Sequence, residues 1–215
     1  MNITLLYKIA LVIGSYLFGA FPTAYVVHKI KKGGDIRKHG SGNVGGTNII
    51  RTVGVYSGIA TIIIDMIKGF IPILVIYFIY PDDLILLSIV TVSTILGHDF
   101  PIYIKFKGGK GIATSFGAIV GISALPFFNN SVWLEILPIF IIFFTWAIIF
   151  LISKIVSVGS LTAAVITPLA FFFTKYPLSV VIAAACWSFM IFITHRENIK
   201  RLIRKEEKKI KGKEE

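Results

Sequence analysis

Between Gly97 and Thr114 the chain reads GHDFPIYIKFKGGKGIAT, with four glycines and three lysines (Lys105, Lys107, Lys110) in a protein that is 55% hydrophobic. Glycine bares backbone N–H groups and lysine adds mobile positive charge, a combination suited to phosphate or carboxylate. The same composition also describes an ordinary basic loop, and charge alone leaves both readings open. A second run, GSGNVGGTN from Gly40 to Asn48, is followed by Arg51. There Gly42 and its neighbours expose backbone, and Ser41, Asn43, Thr47 and Asn48 supply neutral hydrogen bonds. Arg51 offers a bidentate fork for phosphate. The run opens onto a helix N-terminus, which favours an anion site over a turn-rich connector.

Neither run is a nucleotide motif. Gly40, Gly42 and Gly45 satisfy G-x-G-x-x-G, with Asp65 downstream. The dinucleotide fingerprint, however, needs a preceding strand and a βαβ unit, whereas an apolar block and a basic loop stand here. In the lysine-bearing run Gly111 follows Lys110, where a P-loop requires serine or threonine.

Four histidines occur, His28, His39, His98 and His195, without a His-x-x-x-His pair or a cysteine partner, so no metal and no cofactor is expected. His98 and His195 begin polar segments at the ends of apolar blocks. Either can serve as a general base or position a substrate by hydrogen bonding, and position alone does not choose. His28 and His39 are expected at the surface or interface. Five residues after these histidines stand Gly33, Val44, Tyr103 and Lys200, so the H-x-x-x-x-D dyad of one acyltransferase class is absent. Ser157 and Ser160 open a later apolar block, where they can cap a helix or hold a ligand. Asp65 and Lys68, three apart inside another block, adjoin on a helix. Charges within a membrane span point to function by default, but mutual neutralisation accounts for these two, and they are taken as structural.

The elements that must carry these residues are apolar blocks. The chain has 215 residues, a mean hydropathy of +0.82 and a net charge of +11. A transmembrane helix needs about 20 mostly apolar residues, and seven spans are predicted at 4–28, 54–80, 84–100, 112–128, 132–152, 157–174 and 178–194. The third is the weakest, since its uninterrupted apolar run is Leu84 to Gly97 and is short enough to be re-entrant. Pro22 and Pro72 are predicted to kink their spans. The first block exceeds a signal-peptide core and lacks an A-x-A site, so it is expected to remain as an anchor. All lysines and arginines but Lys8, Lys68 and Lys175 fall on one side of a seven-span topology. By the positive-inside rule that side is cytoplasmic, with the N-terminus outside and the C-terminus inside. The fold expected is therefore an all-α integral membrane protein, its glycine-rich cytoplasmic loops forming the site. Residues 1–196 make one membrane domain and 197–215 a charged tail, read as a lipid-attracting, amphipathic or disordered segment. Basic residues between apolar blocks favour anionic lipid and substrate, and nucleic acid is discounted.

Taken in order, SGNVGGTN, GHDFP with FKGGKGIAT, SVGS and HRENIKRL resemble the PlsY-type family, bacterial membrane acyltransferases that move an acyl chain from acyl phosphate to glycerol 3-phosphate. The resemblance covers most of the chain. It implies the seven-helix architecture, placement in the bacterial inner membrane with the site on the cytoplasmic face, and lysophosphatidic acid as product. It implies substrate contacts for Lys110, Ser160 and His195, and these three are expected to be catalytic. It implies substrate contacts for Ser41, Asn43, Thr47, Arg51, Lys107 and Asn198, and Gly42, Asn48, His98, Gly108 and Gly109 are expected to line the same substrate site. Gly46 stands where the family commonly has alanine, a mild departure. The alternative is a membrane carrier for organic phosphates using the same basic loops, although no repeat symmetry or paired broken helices are visible. A non-enzymatic lipid-binding scaffold would also fit the bare charge pattern.

Overall fold

The computed structural model describes residues 3–125 and 131–209, and among these the secondary structure is helical throughout, with no strand. The chain divides into two compact units, Met1–Phe127 and Phe128–Glu215.

In the first unit, the block expected as one span over 4–28 is two helices, α1 (Ile3–Gly19) and α2 (Thr23–Lys32). Pro22 has no N–H to continue the ladder, so the helix is interrupted there, and the two segments together remain long and apolar enough for the one span expected. At the break the Phe21 carbonyl accepts from the Thr23 N–H at 3.0 Å and from the Lys68 ammonium at 2.9 Å. A short helix, α3 (Gly46–Thr52), follows the first glycine run. That run therefore opens onto a two-turn loop helix, with the span α4 (Val55–Ile79) beginning only afterwards. Pro72 stays inside α4. Next come α5 (Leu84–Asp99) and α6 (Ile112–Ala124). Residues 126–128 of the expected fourth span lie outside the described residues.

Glycines set how closely these helices approach. A Cβ on Gly19 of α1 would overlap the Thr94 carbonyl of α5, and one on Gly97 would overlap the Tyr16 carbonyl of α1. The α4–α6 pair repeats the device, with Gly69 on the Thr114 carbonyl and Gly117 on the Met66 carbonyl. Lipid gives apolar helices little reason to associate, so close backbone contact through small residues supplies the packing. Tyr16 Oη donates to the Phe100 carbonyl at 2.6 Å, fixing the chain as it leaves α5. Ala24 of α2, Ile36, Val44, Ile49 and Ile104 form a small apolar core that draws residues from both loop regions.

The second unit contains α7 (Val132–Ser153), α8 (Val156–Phe173), α9 (Leu178–Thr194) and α10 (Arg196–Ile203). Consecutive helices α7, α8 and α9 pack on one another, and α10 turns from α9 by 60°. Large apolar side chains such as Phe143, Phe144 and Leu151 of α7 face outward, as lipid requires. Among the described residues, five helical segments can cross a membrane by length and composition, with α1 and α2 taken as one, and α9 with α10 makes a sixth. At 13 residues α6 is shorter than a full crossing.

Candidate active site

The first glycine loop is built around Asn48. Its side-chain oxygen accepts the Ser41 N–H at 2.9 Å, while its amide nitrogen donates to the carbonyls of His39 at 3.0 Å and Asn43 at 2.9 Å. Gly40 passes so close that a Cβ would overlap Asn48 Oδ1, and its φ of +64° also favours glycine. Ser41 and Arg51 are exposed, and Gly42, Asn43 and Thr47 are half-buried. Before this loop, Asp35 accepts from the backbone and guanidinium of Arg37. That hydrogen bonding holds the Asp35 carboxyl below the usual carboxylate range. Arg37 Nη1 also donates to the Ile104 carbonyl at 3.0 Å, tying the first glycine loop to the second.

The second loop folds back on the end of α5. Gly108 N–H donates to the Asp99 carbonyl at 3.2 Å and Gly109 N–H to the His98 carbonyl at 3.1 Å. The return turn places Lys105 and Phe106 in the left-handed region, at φ of 59° and 58°. Two successive non-glycine residues there cost free energy, a form of strain that gathers at functional sites. Lys107 is exposed, whereas Lys110 is half-buried. His98 is buried, with Nδ1 3.8 Å from Asp65 Oδ1, and Lys68 Nζ lies 2.9 Å from the same oxygen. A small polar cavity joins Val44 of the first loop with Asp65, Lys68, His98, Gly108 and Gly109. Phe21 and Lys68 are shared with an apolar groove of about 510 Å³ between α1 and α4, lined by Gly14, Leu17, Phe18, Ile64 and Ile67.

In the second unit, His195 stands at the corner between α9 and α10. Its Nδ1 lies 2.8 Å from the Ile191 carbonyl. Because a carbonyl can only accept, Nδ1 carries the proton in the neutral ring and Nε2 is the basic nitrogen. Ser160 is buried in the first turns of α8. Asn198 Nδ2 donates to Glu207 Oε1 at 2.5 Å, Ser157 Oγ to the same oxygen at 3.0 Å, and Arg201 Nε to Oε2 at 2.6 Å. Burial by itself would raise the Glu207 pKa, but these three donors outweigh it and hold the carboxyl below its ordinary value.

Comparison with known proteins decides the family. Residues 9–205 match the family model described as Glycerol-3-phosphate acyltransferase. The glycerol-3-phosphate acyltransferase of Endomicrobium trichonymphae is 39% identical over 96% of this chain and 98% of its own. That of Pelagibacter ubique is 41% identical over 93% and 95%. The chain belongs to the glycerol-3-phosphate acyltransferase family. Crystal structures of PlsY, an integral membrane glycerol 3-phosphate acyltransferase, share its fold. The glycerol 3-phosphate form gives a TM-score of 0.84 at 34% identity, and the lysophosphatidic acid form 0.82 at 33%; each match covers 95% of this chain and 96% of that one.

Within this acyltransferase, the structure brings the two glycine loops together with His98 in the first unit. It gathers Ser157, Asn198 and Arg201 around Glu207 in the second. Asn48, expected to touch substrate, has its amide committed to holding its own loop. His28, expected at the surface or interface, is buried, with its ring stacked on His39 at 5.0 Å between centroids. The tail expected to start at residue 197 is helical through Ile203 and anchored by Glu207. Sequence reading did not connect Asp65 and Lys68 to the site, nor did it find Glu207. A charged pair inside a span was the one available signal for the former, whereas Glu207 sits unmarked in a run of mixed charge.

Proposed function

We propose that this glycerol-3-phosphate acyltransferase takes its acyl chain from acyl phosphate and transfers it to the 1-hydroxyl of sn-glycerol 3-phosphate. The products are 1-acyl-glycerol 3-phosphate and inorganic phosphate, an early step of phospholipid synthesis. The reading includes seven membrane spans, with α6 as the fourth, and reaction at the cytoplasmic face of the bacterial inner membrane. The charge asymmetry of the loops supports that orientation.

The observation that carries the reading is the junction of two glycine loops at a polar cavity that shares Phe21 and Lys68 with an apolar groove. A donor with an anionic head and a lipid tail needs both surfaces. Lysines and arginine on two glycine loops answer the problem of holding two mutually repelling phosphates. Ser41, Gly42, Asn43, Thr47, Arg51, Lys107, Gly108, Gly109 and Asn198 serve substrate binding in this scheme. Lys110 and Ser160 stabilise developing charge.

The donor is a mixed anhydride, so its carbonyl is already activated. The 1-hydroxyl oxygen attacks that carbon, the carbon–oxygen bond to phosphate breaks, and phosphate departs with the electron pair. Holding hydroxyl and carbonyl in contact contributes about 7–11 kcal/mol in ideal geometry. A phosphate with a second pKa near about 6 can accept the hydroxyl proton itself, giving substrate-assisted catalysis. His195 Nε2 is the protein base in the alternative version.

The test uses purified protein, palmitoyl phosphate and labelled glycerol 3-phosphate, without coenzyme A or acyl carrier protein. Labelled lysophosphatidic acid is the expected product. Label accumulating inside proteoliposomes without acylated product would instead establish a phosphate carrier.

A further inference from the structure

We propose that His98 is a positioning residue for the lysine-bearing glycine loop: its imidazole is the ledge on which Gly109 rests, and Asp65 with Lys68 fixes that ledge from the neighbouring span. This inference rests on the reading of the loop as a phosphate binder.

The need for glycine at 108 and 109 is one of space. Neither residue has a positive φ, so an L-residue could adopt their backbone conformation. A Cβ on Gly109, however, would overlap the Nε2 edge of the His98 ring, and one on Gly108 would overlap the His98 carbonyl. Their N–H groups donate to the carbonyls of His98 and Asp99. The loop backbone is thus bonded to the main chain of His98 and Asp99 and packed against the His98 side chain.

The ledge is itself held. Asp65 Oδ1 lies 3.8 Å from His98 Nδ1, an electrostatic distance and too long for a direct hydrogen bond. Lys68 lies 2.9 Å from the same oxygen and donates to the Phe21 carbonyl at 2.9 Å. His98, Asp65 and Lys68 are 8%, 2% and 4% exposed, so none can swing away into solvent. The break at Pro22, the paired charges of α4 and the end of α5 therefore converge on the underside of the loop. Because the Nε2 edge is covered by Gly109 and Nδ1 faces Asp65, the ring acts through the backbone above it. Lys107 and Lys110, flanking the two glycines, take their places from that backbone.

A compensating pair of substitutions tests the ledge. Gly109→Ala wedges the loop off the ring and is expected to raise KM for the substrate whose phosphate the loop holds by about tenfold or more, with kcat within about threefold. His98→Ala also raises that KM, but it removes the ring atoms that the methyl group introduced by Gly109→Ala would strike. The double variant should then bind no worse than His98→Ala alone, far short of the product of the two single effects. His98→Gln, which still reaches toward Gly109, should recover part of the loss, and Asp65→Asn should add nothing to His98→Ala. Detergent-solubilised Tm values confirm folding, and if His98→Ala fails to fold, His98→Ser, which also withdraws the ring from Gly109, carries the same comparison with Gly109→Ala. Multiplicative effects, or a fall in kcat at unchanged KM for His98→Ala, would overturn the ledge while leaving the functional reading intact. A wild-type protein that makes no lysophosphatidic acid from acyl phosphate brings down that reading, and the ledge with it.

Discussion

At the scale of single residues, type and spacing identified a polar loop but could not divide its labour. Ser41 and Asn48 look equivalent in GSGNVGGTN, since either can present a hydrogen-bonding oxygen to a phosphate. Folding separates them, because Asn48 is turned inward and makes three hydrogen bonds to its own loop while Ser41 is exposed. Asn48→Ala should therefore lower both activity and stability, since a buried backbone group left without a partner costs about 1–3 kcal/mol. Ser41→Ala should reduce turnover with little change in Tm. Parallel activity and thermal-unfolding measurements check this split, and an unchanged Tm for Asn48→Ala would refute the strut role.

At the scale of elements, the apolar blocks were readable because a span is long and its composition uniform. Its interruptions were less so. Pro22 is visible in the sequence, but the groups that hold the interruption are not. Beside it the Phe21 carbonyl accepts both the Thr23 N–H and the ammonium of Lys68, distant in sequence. The glycine contacts of α1 with α5 and of α4 with α6 were hidden for a similar reason, since a glycine in a span does not announce which carbonyl it meets. The anchoring of α10 gives a pH prediction. The folded-state pKa of Glu207 is depressed, so its stabilising contribution is present above the unfolded carboxyl value of about 4.3 and is lost as pH falls through the folded value. Glu207→Gln should lower Tm near neutrality and flatten its decline on acidification, with wild type and variant converging at low pH. A constant Tm difference across the titration would show that the charge of Glu207 is irrelevant.

For the whole molecule, loop charge yields a topology that labelling can check. In a Cys186→Ser background, Asp82→Cys should react with an impermeant maleimide on intact spheroplasts. Glu206→Cys should react only after the membrane is opened. Equal labelling of both from outside would invert or break the proposed topology. The sequence by itself determined the membrane class and the order of the motifs. Those properties are carried by composition and local spacing, which survive without any knowledge of contacts. Only the tertiary structure decided that Asp65 and Lys68 stand beside His98 beneath Gly109, that Asn48 holds its own loop, and that Glu207 reaches Ser157 from 50 residues away. Those pairings depend on where the helices break, cross and turn, and the decisive atoms there are backbone carbonyls, which every residue carries alike.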